Sequence, residues 1–182
     1  MEEPIQRALL NLQAAERAKL SGAWDAATRY ALKGVGFLPD NAWETHYKLS
    51  YELHILHLEC EYLNAHIERG NQLSEILLQH DLSNFEKANV CRLQLNYNVT
   101  RQLTWAIEKG VEGLRYCGLN IPEAQQITQQ LADKEERALT EVFKSVEIAQ
   151  VLFSDNDHSS ELTNITCLLL VRLSGYSQIA GM

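Results

Sequence analysis

His54, His57 and Glu61 are the residues most able to do chemistry. Steps of three and four put them on one face of a helix. Two imidazoles and a carboxylate so placed form part of a transition-metal site. His46 falls on the same side, but eleven residues from His57 is about 16 Å of helix axis, too far to share an ion. No matching histidine or carboxylate pair occurs on another predicted helix, and the facing Glu-x-x-His units of a di-iron bundle are missing. The three are therefore read as structural polar residues. A metal- or small-molecule-binding helical domain centred on them is the alternative.

Other chemical signals are weaker. Gly34-Val35-Gly36 lacks the third glycine of a dinucleotide fingerprint and ends a helix instead of following a strand. Asp155, Asp157 and His158 share a polar loop without calcium-loop spacing or its closing glutamate. Trp24, Trp43 and Trp105 each sit near the first turn of a helix, where an indole locks helix pairs together. No nucleophile-elbow motif is present. No catalytic or cofactor-binding residue is assigned, and the chain is expected not to be an enzyme.

The elements that would hold these residues are all helices. The first spans Pro4 to Leu20, with proline in the first turn, and Ser21-Gly22 is a turn. The second spans Trp24 to Phe37, and Pro39 closes the unit. Ala27, Ala31 and Gly34, then Ala106, Gly110 and Gly113, repeat small residues at spacings of four and three, the tight packing face of tetratricopeptide-type arrays. A third helix starts at an Asn41–Glu44 capping box and runs to about Asn64. It carries two apolar stripes, one through Tyr51 and Leu58 and one through Leu53 and Cys60, as expected of a helix sandwiched between neighbours. A fourth helix, Glu68 to Gln79, loses the small-residue pattern and makes the second unit degenerate. Ser83 and Glu86 form another capping box before helices over Phe85 to Thr100 and Leu103 to Cys117, with Gly118 as cap. Further helices are expected from Pro122 to the end, the last over Glu161 to Leu173.

The expected fold is all-α, a right-handed α-α superhelix of tetratricopeptide-like helix-turn-helix repeats. Residues 1–122 form three pairs and 123–182 continue the array. With 46% hydrophobic residues the chain can bury a core. A net charge of −8 without a dense Lys/Arg run argues against nucleic acid and anionic membrane as partners. No apolar run approaches the roughly 20 residues of a membrane span. Cys60, Cys91, Cys117 and Cys167 form no CxxC pair and sit in apolar stripes, as reduced thiols of a cytoplasmic protein do. The sequons at Asn98 and Asn164 lie inside predicted helices and are read as chance.

Three segments carry a family resemblance: Ala18 to Ala27, Leu38 to Tyr47 and Glu59 to Leu63, with a later match over Gly110 to Pro122. They resemble the helical region of very large signalling proteins that join a serine/threonine kinase, a STAND-like ATPase, a GAF domain and a sensor histidine kinase. The resemblance implies a tetratricopeptide-like region, not a catalytic one. The chain has no GxxxxGK[ST] loop and no His-Arg-Asp or Asp-Phe-Gly motif.

The function expected is that of a non-catalytic module binding a protein partner or relaying between neighbouring domains. Lys19, Arg29, His46, Lys48 and Glu52 are the expected contact residues. The apolar Leu168 to Val171 cluster points to self-association through the last helix, or to a truncated relic of a larger signalling kinase.

Overall fold

A computed structural model describes residues 2–98, 100–119 and 169. The described residues form seven helices and no strand: α1 (Glu2–Leu20), α2 (Trp24–Gly36), α3 (Ala42–Thr45), α4 (Tyr47–Leu63), α5 (Ile67–Leu78), α6 (Asn84–Asn98) and α7 (Leu103–Tyr116). The chain divides into two compact units, Met1–His80 and Asp81–Met182. The expected helices beyond Pro122, the Asp155, Asp157 and His158 loop, Asn164 and Cys167 lie outside the described residues.

In the first unit α1 packs on α2, and α4 lies against both and against α5. The reason is the small stripe on α2. Ala27, Ala31 and Gly34 are all buried. A Cβ on Gly34 would stand 2.4 Å from Leu53 Cδ2 on α4 and 3.3 Å from Asn11 Cβ on α1, so glycine is what lets three helices meet there. Ala8, Leu12, Ala15, Leu49, Leu53, Leu56 and Cys60 complete this core. Pro39, just after α2, is exposed, and its carbonyl accepts from the Ala42 amide at 2.9 Å.

α5 also depends on small residues. Gly70 and Ser74 are buried between Ile67 and Leu77. A Cβ on Gly70 would stand 2.4 Å from Tyr62 Cε1. The Tyr62 ring takes the space that a side chain would need.

In the second unit α6 packs on α7. Ala106, Gly110 and Gly113 are buried, and a Cβ on Gly113 would stand 2.9 Å from Cys91 Cβ and 3.1 Å from Leu169 Cδ1. Leu169, of the apolar C-terminal cluster, is fully buried within this chain. Ser83 and Glu86 form the expected capping box: Ser83 N donates to Glu86 Oε2 at 2.8 Å and Glu86 N to Ser83 Oγ at 3.3 Å.

Three helices end in the same way. Gly22 N donates to the Lys19 carbonyl and Ala23 N to that of Ala18. Ala65 N donates to Tyr62 and His66 N to Glu61. Gly118 N donates to Arg115 and Leu119 N to Leu114. Each is a Schellman motif, whose central residue takes left-handed backbone. Gly22 (φ 76°) and Gly118 (φ 85°) suit it, whereas the third motif uses alanine, Ala65 (φ 61°). A non-glycine residue there costs about 1–2 kcal/mol.

Two expectations are corrected. The third helix is broken at His46 (φ −138°, ψ 45°), which separates α3 from α4. The Trp43 ring lies 5.1 Å from that of His54. In an unbroken helix eleven residues would hold them about 16 Å apart along the axis, so α3 must fold back. Asn41 makes no side-chain cap bond; the Glu44 amide goes to the Asn41 carbonyl at 3.0 Å instead.

Candidate functional site

The densest polar cluster is built on the last turn of α4. Glu61 is 1% exposed, and a buried carboxylate needs donors around it. His57, one turn earlier, presents Nε2 to Glu61 Oε1 at 3.2 Å. His66, in the turn after α4, presents Nδ1 to Oε2 at 2.7 Å. Arg69 on α5 places Nη2 3.5 Å from Oε1. A carboxylate accepts only, so both imidazoles face it with an N–H. Burial lowers the His57 pKa below 6.5, and the positive charge of Arg69 adds to that against the raising effect of Glu61.

The structure thus brings His57 and Glu61 together but gives them His66 and Arg69 as partners. The His54 ring nitrogen Nδ1 is 2.7 Å from the Ser50 carbonyl. Among the described residues no group of three His, Cys, Asp or Glu side chains is arranged to hold a metal ion. His66 and Arg69 escaped sequence reasoning because they lie across a turn, beyond the three-and-four spacing of one helix. The signal available was the helix exit at Leu63-Asn64-Ala65, which returns the next residue over the last turn.

Trp43 organises the neighbouring cluster. Its ring stacks on His80 at 4.0 Å and 18° and meets Tyr47 edge-on at 5.8 Å. Burial lowers the pKa of both His54 and His80. Trp24 is 41% exposed, and Lys109 Nζ lies over the Trp105 ring at 5.8 Å.

The expected contact residues are spread over the first unit. Lys19 is held in a part-buried ion pair with Glu59 at 2.8 Å, tying α1 to α4. Arg29 is exposed on α2. His46 sits at the α3–α4 break, its Nδ1 2.9 Å from Thr45 Oγ1. Lys48 pairs loosely with Glu52 at 3.8 Å. Cys60, Cys91 and Cys117 are buried free thiols, and burial pushes Cys60 to about 11 and Cys91 to about 12. Asn98 is fully buried and donates to the Gln94 carbonyl, so its sequon is closed to glycosylation in the folded chain. Among the described residues no helix is long and apolar enough to cross a membrane.

Compared with known proteins, the chain matches no family model, no curated protein and no solved structure.

Proposed function

We propose that the chain is a helical-repeat module that binds another protein or relays between neighbouring domains, working in the cytoplasm. In this reading the helix pairs stack as a right-handed superhelix of tetratricopeptide-like units. The natural setting, by the resemblance, is between an ATPase and a sensor kinase. The observation that carries it is the surface of the first pair. Leu9, Leu10, Leu20, Trp24, Tyr30 and Leu32 are all exposed large apolar side chains on α1 and α2, against Ile76 among the other side chains described. Leu20 is 85% and Leu10 65% exposed. Exposed apolar side chains gathered on one helix pair support a contact-surface reading, whereas single scattered ones do not. Arg29 on α2 and Lys48 on α4 are exposed as well.

The test is cross-linking in cell extract followed by mass spectrometry, with sedimentation of the purified chain to detect self-association. The wild type should recover a protein partner or itself, and the surface variant Leu10→Glu/Leu20→Glu should lose it while remaining folded. Recovery of no protein, including a second copy, refutes the reading.

A further inference from the structure

We infer that α5 is a strap that opens on its own, hinged at the α4–α5 turn, while the core of α1, α2 and α4 stays closed. The way α5 is fastened carries this, and it holds whatever partner the chain binds. Within the first unit α5 packs on α4, and the apolar cluster that joins α1, α2 and α4 contains no α5 residue. The buried residues of α5 are Ile67, Gly70, Ser74 and Leu77. Two of them bring a large apolar side chain, and apolar area removed from water is what holds a helix in place. α4, by contrast, buries Leu49, Leu53, Leu56, Leu58, Cys60 and Tyr62.

Three polar contacts fasten the turn and the first half of α5, and all end on two adjacent residues of α4. His66 Nδ1 lies 2.7 Å from Glu61 Oε2, Arg69 Nη2 lies 3.5 Å from Glu61 Oε1, and the Tyr62 hydroxyl donates to Asn71 Oδ1 at 2.7 Å. The Arg69 side chain is 63% exposed, so its ion pair adds little. A hydrogen bond that replaces one to water also adds modestly. Past the far end of α5, His80 stacks on Trp43 at 4.0 Å.

The chain can give at both ends of the strap. Ala65 (φ 61°) holds left-handed backbone that the other two Schellman turns give to glycine, so the docked strap keeps a strain that opening releases. Residues 81–83 belong to no helix. A helix with few buried apolar contacts, set between a strained turn and an irregular link, opens at a lower free energy than the whole. Lifting it uncovers the Tyr62 ring, which is 2% exposed and packed over Gly70. It also takes Arg69 away from Glu61. Leu53 and Ala31 keep their neighbours in the other core.

Native-state hydrogen exchange on the full chain in low denaturant tests this. The amides of residues 71–78 should show an opening constant about tenfold or more above that of the slowest amides of α1 and α2. Lesions in the core then separate local from global opening. Leu53→Ala should raise the opening of the α1 and α2 amides at least about 30-fold, and the milder Ala31→Gly about fivefold. The α5 constant should rise by a much smaller factor in both, because neither side chain is disturbed when the strap lifts. Ala65→Gly relieves the hinge and should lower the α5 constant about two- to fivefold. The inference is overturned if α5 opens within about twofold of α1 and α2 in the wild type, if either lesion raises α5 and core equally, or if Ala65→Gly does not lower the α5 constant.

Discussion

Gly70→Ala is the sharpest test of how α5 is seated. The new Cβ would stand 2.4, 2.5 and 2.9 Å from Cε1, Cδ1 and Cζ of Tyr62, where ordinary contact begins at 3.4 Å. The ring must therefore retreat by about 1 Å, a distance that close-packed interiors resist. It has little room, being 2% exposed, and its hydroxyl donates to Asn71 Oδ1 at 2.7 Å. Overpacking of this kind costs about 1–3 kcal/mol. Replacing glycine by alanine in a helix returns about 0.5–1 kcal/mol. The net is a loss of up to about 2.5 kcal/mol, centred on about 1 kcal/mol, or about 4–8 °C in Tm at that centre for a unit of 60–100 residues. Gly36→Ala is the control, because nothing lies within 4 Å of its Cβ position; it should be neutral or stabilising by up to ~1 kcal/mol. Denaturant unfolding and thermal melts measure both. In a Tyr62→Leu background the Gly70→Ala penalty should shrink, since contacting residues couple. Equal or higher stability of Gly70→Ala, or an unchanged penalty without the ring, refutes the close approach.

Other substitutions test other parts of the framework. Ala65→Gly should stabilise by about 0.5–1 kcal/mol, the relief of left-handed strain less the entropy gained by the unfolded chain, and Gly22→Ala should destabilise by about 1 kcal/mol although its Cβ would meet nothing; opposite signs in denaturant midpoints are the check. Leu53→Ala removes a fully buried side chain and should cost about 2–5 kcal/mol in the same assay. A Cys60 pKa of about 11 in place of 9.0 leaves roughly a hundredth as much thiolate at pH 8, so thiol reagents should label Cys60 at least about 100-fold faster in denaturant than in the native chain; equal rates would contradict its burial.

The helices were legible because their punctuation is local. Gly22 and Gly118 mark two exits, and the Ser83–Glu86 box marks an entry. The small residues of the stripes on α2 and α7 are buried, as helical spacing places a packing face. α5 misleads for a related reason. Gly70 stands where the repeat wants alanine and reads as a lost pattern, yet with Ser74 it makes a small stripe of its own. What could not be read depends on contacts across turns. The break at His46 is tied to Trp43 stacking on His80, thirty-seven positions later in the chain. Glu61 was seen beside His57, but His66 and Arg69 reach it only once the Ala65 turn has formed.

The fold-back of α3 supplies a natural optical reporter. Trp43 is clamped against an imidazole at 4.0 Å, while Trp24 sits on α2 and Trp105 on α7. Its emission should therefore change when the far end of α5 leaves its place. Detachment of that one helix can then be followed in real time without attaching a dye.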